Sequence, residues 1–284
     1  MTHDLLPLFL GLASALGLAA ANTFVKASGD VLAARSVMSL AAALIVLPFA
    51  FLVPMPNAEM WGMLALAIPA HWIYQVTLVR ALSRGDLSLV FPVMRGSAPL
   101  LTALAAAVFL KEHLSPVAIA GLTIASLATV IFAIPEKGAG GAALRQSALL
   151  WALATGAGVA LYNVVDAQAV RVAPSPLTFT VWLFLTDWIG VNLVTAITRK
   201  GDWVRMIRTR VRFGAAAGAL TVLSFGFALY GFSIAPVAYI SAMRETAVVF
   251  AALFGWFLLK EGFGLRRTLA AVLLAAGLGL MQFS

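Results

Sequence analysis

The chain has 284 residues, 62% of them apolar and only 11% charged. Soluble domains carry roughly a quarter charged residues, so this composition excludes a water-facing globule; even an all-helical soluble bundle needs polar faces that are missing here. The net charge of +8 sits in short breaks between apolar runs, where membrane topology accounts for it and nucleic acid does not.

In chain order, ten apolar segments are expected to be helices near residues 4–25, 31–53, 60–80, 88–110, 114–134, 147–168, 177–197, 211–232, 237–258 and 264–283. Each is long enough to cross a ~30 Å hydrocarbon layer. The first starts at Leu5 without a basic flank, as a first span does and a cleaved signal peptide does not. Turn chemistry marks the breaks, at Pro54-Met55-Pro56-Asn57, Ser83-Arg84-Gly85-Asp86 and Pro174-Ser175-Pro176. Gly138-Ala139-Gly140-Gly141 is the most linker-like stretch. It divides the chain into two expected domains, 1–139 and 140–284.

Those domains are copies of one unit. Leu89 to Glu112 reads LVFPVMRGSAPLLTALAAAVFLKE, and Ala238 to Glu261 reads AYISAMRETAVVFAALFGWFLLKE. Met94-Arg95 matches Met243-Arg244 and Lys111-Glu112 matches Lys260-Glu261 at one offset of 149 residues. More weakly, Asn22 in the first span matches Asn163 in the sixth. Five spans per unit is odd, so the second unit enters the membrane inverted.

Charge tests this independently. The basic residues follow the odd-numbered spans: Lys26 and Arg35; Arg80 and Arg84; Lys137 and Arg145; the cluster from Arg199 to Arg212; and Lys260, Arg266 and Arg267. Only Lys111 and Arg171 fall at the other end. The positive-inside rule makes the basic end cytoplasmic, with both termini outside.

A charge deep in a span costs at least ~2.5–3.5 kcal/mol and needs a reason. Arg95, Asp166, Asp187, Arg244 and Glu245 are such charges. Two readings stand for the repeat-related arginines: a bidentate grip on a substrate carboxylate, or an ion pair with Asp187 or Glu245 that locks helices together. Proximity favours the ion pair for Arg244 beside Glu245. His71, Tyr74 and Gln75 share one helical stripe with Leu78, which belongs toward protein or water and not lipid. Tyr162 and Asp166 share a face of span six, and Trp182, Asp187 and Tyr239 complete an aromatic and polar set suited to an amphipathic solute. The interfacial aromatic belt competes for Trp182 and Tyr239 and claims Trp61, Trp151 and Trp203. His71, Tyr74, Gln75, Arg95, Tyr162, Trp182, Tyr239 and Arg244 are therefore the candidate substrate-binding residues. Asp166, Asp187 and Glu245, with His71, are the groups able to titrate in a cavity. Asn22 and Asn163 are expected to bond between helices, and Pro92, Pro99 and Pro236 to act as hinges.

Ten spans in two five-span repeats, with an Asn-bearing first span and a Pro-bearing fourth span ending in Lys-Glu, resemble the EamA family of the drug/metabolite transporter superfamily. Bacterial aromatic amino-acid exporters are the nearest match within it. The resemblance spans the whole chain. It implies an all-α inner-membrane transporter that exports amino acids, aromatic and other neutral ones, by alternating access of its inverted halves. Many members are described with cytoplasmic termini, against the charge count here. Small multidrug relatives use an acidic residue in the first span, which this chain lacks because Asp4 lies at the edge.

Export of another small metabolite or drug is the alternative, with a membrane scaffold or receptor behind it. No GxGD, Ser/His dyad or HExxH suggests an enzyme. Without cysteine, metal-ligand spacing or a phosphate-binding loop, no cofactor, metal or ATP drive is expected. The expected partners are a small amino-acid substrate and the lipid bilayer, with no nucleic acid, and the carrier is expected to be a monomer.

Overall fold

The structure, a computed structural model, describes residues 5–82, 84, 87–133, 142–199, 203–259 and 265–282, and every regular element among them is helical. The first half runs α1 (Leu6–Ala27), α2 (Val31–Val46), α3 (Ala58–Leu82), α4 (Leu87–Ala105) and α5 (Pro116–Ala133). The second half runs α6 (Ala142–Val172), α7 (Pro176–Arg199), α8 (Trp203–Ile234), α9 (Val237–Arg244), α10 (Ala247–Leu259) and α11 (Leu265–Gln282). A 3-10 segment, Leu47–Phe51, extends α2, and a π-helical turn, Ala106–Leu110, ends α4.

Local chemistry sets several boundaries. The Asp30 side chain accepts from the Ala33 N–H at 3.2 Å and caps α2, and Asn57 accepts from Met60 N–H at 2.8 Å before α3. Lys111 stops the fourth segment in a left-handed conformation, φ 57°. Six helical stretches are long and apolar enough to cross a membrane: Leu6–Val25, Leu32–Phe51, Val93–Leu110, Gln146–Val172, Pro176–Arg199 and Ile207–Ile234. Pro116–Ile131 and Thr268–Gln282 are shorter apolar helices. Large apolar side chains such as Leu104, Phe109 and Leu193 point outward and exposed, as lipid-facing residues do.

The packing is reciprocal between the halves. α1 lies on α8 as α3 lies on α6: the first helix of each half meets the third of the other. α4 packs on α6 as α9 and α10 pack on α1, and α2 meets α7 while α5 meets α11. A pseudo-twofold relation between the units accounts for this reciprocal pattern. At the α5–α11 seam, a Cβ on Gly121 would fall 2.5 Å from the Gly277 carbonyl oxygen, so backbone meets backbone there.

The structure departs from the expected spans in three places. α6 and α8 run to 31 and 32 residues, about 46–48 Å, and overshoot the hydrocarbon layer. The ninth segment is broken, and its break is at Glu245-Thr246 between α9 and α10. Pro236, expected as a hinge within that segment, instead stands before α9 as its N-cap residue, where no N–H is needed. α4 runs helical through both Pro92 and Pro99. The Gly138–Gly141 linker and the second Lys260-Glu261 dipeptide lie outside the described residues.

Candidate functional site

Between the halves lies a cavity of about 190 Å³. Its lining residues fall in the C-terminal halves of α1 and α3 and toward the N-terminal ends of α2 and α4 (among them Asn22, Arg35, Ser39, His71, Tyr74, Gln75 and Arg95). Those positions lie toward the basic loops, whereas the second-half lining lies toward the other end of its helices, so the cavity sits near the middle of the bundle. From the second half come Tyr162, Asn163, Asp187, Thr221, Phe225, Ser241, Arg244 and Glu245.

At the other end a polar cluster ties the helices together. Glu112, from the repeated Lys-Glu, accepts from Arg171 Nη2 at 2.5 Å and from the Val237 N–H at 2.8 Å. Arg171 also donates to the Phe232 and Ala235 carbonyls. One carboxylate thus caps the start of α9, while the arginine it holds caps the end of α8.

α3 and α6 supply the aromatic wall. Gly158 lets them approach, because a Cβ there would lie 3.0 Å from the Tyr74 Cα. The His71 ring stacks on Tyr162 with centroids 4.6 Å apart, and Tyr74 meets Tyr162 edge-on at 5.4 Å. His71 Nε2 lies 2.9 Å from Asp166 Oδ2. Asp166 itself is fully buried behind the imidazole, and its Oδ1 has no partner. The shared face of Tyr162 and Asp166 therefore meets His71 twice, once by stacking and once by hydrogen bonding.

The two repeat-related arginines do line one cavity, but differently. Arg95 Nη1 donates to Glu245 Oε1 at 3.4 Å. The expected Arg244–Glu245 pair is absent: no ion pair joins these neighbours at the end of α9, and Glu245 reaches across to α4. Arg244 instead sets its guanidinium 5.1 Å from the Phe225 ring. It makes no ion pair among the described residues, and its Nε has no acceptor. Asp187 lines the cavity from α7 and has no hydrogen bond or ion pair among the described residues.

The remaining expected residues separate. Asn163 bonds between helices, donating to Thr102 on α4 at 3.3 Å and Ser241 on α9 at 3.2 Å. Its repeat mate Asn22 makes no such bond among the described residues, because its side chain faces the cavity. Trp182 lies outside the cavity, edge-on to Trp61 at 5.1 Å and against the apolar core around Phe179 and Leu183. Tyr239 lies outside it too. Its hydroxyl donates to Gln282, beside a separate cavity lined by His113 and Ser115.

Sequence reading did not single out Arg35, Phe225, Thr221 or Ser39 as lining residues. Arg35 sits with the loop charges in the sequence, yet its place in the second turn of α2 puts it on the cavity. Phe225 carries no distinguishing signal within an apolar span.

The EamA-like transporter family matches the chain at residues 5–134 and again at 146–283. No curated protein matches the sequence. One crystal structure shares the fold with a TM-score of 0.77, covering 96% of this chain and 95% of its own at 15% sequence identity.

Proposed function

Because this chain belongs to the EamA-like transporter family, a family of membrane transporters, we propose that it exports amino acids, aromatic and other neutral ones, from a bacterial cell. Ten helical segments would cross the inner membrane in two inverted five-helix halves, and alternating access between those halves would move the solute. The carrier would act as a monomer without a cofactor. The observation that carries the substrate class is Arg244: a guanidinium inside the bundle, on an aromatic wall, with no carboxylate partner. Such a cation suits the carboxylate of a small aromatic solute. A cavity of about 190 Å³ is smaller than the ~300–1,000 Å³ of drug-sized sites, which favours an amino acid over a drug.

Of the groups weighed for proton coupling, the arrangement favours Asp166 with His71, since one partner is sealed and the other faces the cavity. Glu245 is held by Arg95. If protons drive transport through this pair, His71→Gln abolishes accumulation driven by a pH gradient while counterflow without a gradient survives. Equal loss of both activities in a folded variant assigns His71 to binding instead.

The deciding measurement is counterflow in proteoliposomes loaded with unlabelled phenylalanine and offered the labelled compound. Wild type should accumulate label transiently. Arg244→Ala should lower the rate by roughly tenfold or more, the worth of a charge-assisted pair. Absence of exchange with phenylalanine, threonine and methionine removes the amino-acid reading and turns the search to other small metabolites.

A further inference from the structure

We infer that the cavity recognises a zwitterion, with Arg244 taking the carboxylate and Asp187 taking the α-ammonium group of the same molecule. The inference rests on the amino-acid reading above and adds the residue that distinguishes an amino acid from an ordinary organic anion.

The charges of the site divide into those already satisfied and those left over. Arg95 is held by Glu245, and His71 by Asp166. Arg35 lines the cavity unpaired but only partly buried. Asp187 and Arg244 stand on different helices and line it too, neither with an ion-pair partner among the described residues. Both are within electrostatic reach of the His71 imidazole, so the cavity's opposite unpaired charges border one group. A carboxylate left without a donor inside a membrane bundle is costly, and a cation arriving from outside the protein offsets that cost.

Net charge points the same way. Arg35, Arg95 and Arg244 face Asp187 and Glu245 across the cavity, and Asp166 behind His71 supplies the third negative charge. With neutral His71 these charges cancel. A net-neutral guest carrying both signs leaves that balance intact, whereas a simple anion or cation upsets it. Phe225 under the guanidinium, and Tyr162 stacked on His71 with Tyr74 edge-on to it, offer rings to the guest's side chain. A site built to hydrogen-bond a polar group discriminates sharply against an analogue that lacks it, because its own group is left unpaired.

The test is competition against labelled-phenylalanine counterflow by unlabelled phenylalanine, 3-phenylpropionate (no ammonium), phenethylamine (no carboxylate) and phenyllactate (hydroxyl for ammonium), in the reconstituted full chain. In wild type only phenylalanine should compete well. In Asp187→Asn, phenylalanine exchange should fall roughly tenfold or more while exchange of labelled phenyllactate rises relative to it. Asp187→Glu should retain the wild-type order of preference. Thermal unfolding of each variant confirms the fold. If folded Asp187→Asn keeps the preference for phenylalanine over phenyllactate, or loses both equally, the ammonium assignment is wrong although the carrier transports amino acids. If wild type exchanges no amino acid, the underlying reading fails and takes this inference with it.

Discussion

Arg95 and Arg244 began as the same residue in two copies of one unit and now differ in what surrounds them. The position equivalent to Glu245 in the first copy is Gly96, so only one copy carries the acid, and it serves the arginine of the other. Arg95→Ala would leave Glu245 buried without its counter-ion. The expected loss is about 3 kcal/mol, the low end for a broken buried pair because Arg95 keeps some exposure. The double variant with Glu245→Gln should recover most of that stability, read as the unfolding midpoint in detergent. Failure to recover would mean that Arg95 does more than neutralise Glu245. Asn22 and Asn163 diverge in the same way: one bonds α6 to α4 and α9, and the other faces the cavity.

At the scale of elements, helix contacts here depend on small side chains, since apolar surface has no water to escape inside a membrane. The α5–α11 seam is the clearest case. Gly121→Ala would push a methyl onto the Gly277 carbonyl, and backbone cannot yield as a side chain does. A loss of about 1–3 kcal/mol is expected, visible as a lower unfolding temperature, while Gly62→Ala, with open space around it, should be neutral or slightly stabilising. An unchanged Gly121→Ala would show that the two helices are not in fact held at backbone distance. The repeated Lys-Glu also finds its meaning at this scale. Lys111 ends its helix in the left-handed region, which delivers the Glu112 carboxylate to the start of α9 and to Arg171.

For the molecule as a whole, the cavity lies near the middle of the bundle, while the Glu112–Arg171 cluster lies at the end away from the basic loops. Absence of cysteine makes single-cysteine labelling clean. Ser39→Cys on the cavity and Ser115→Cys, exposed beyond the fourth segment, should react with a membrane-impermeant maleimide from opposite faces of oriented vesicles. By the positive-inside rule the Ser39 face is expected to be the cytoplasmic one. Amino acid added at saturating concentration should slow labelling at position 39 and leave position 115 unchanged. Labelling of both positions from one face would overturn the arrangement of the two ends.

The order of helices, the duplication and the one-sided placement of the basic loops were legible in the linear chain, because spans declare themselves by apolar length and a repeat by its register. The stripe of His71, Tyr74 and Gln75 was legible too, since helical periodicity alone brings those three together. Pairing was not. Which carboxylate meets which arginine, and whether an aromatic residue faces the cavity or the core, depends on how one helix rotates against a neighbour from the other half. Adjacency along the chain suggested Arg244 with Glu245, yet side chains on successive helical residues diverge by about 100°. Tertiary packing gave Glu245 to Arg95, sent Trp182 and Tyr239 elsewhere, and left Arg244 and Asp187, with the partly buried Arg35, unpaired on one cavity among the described residues.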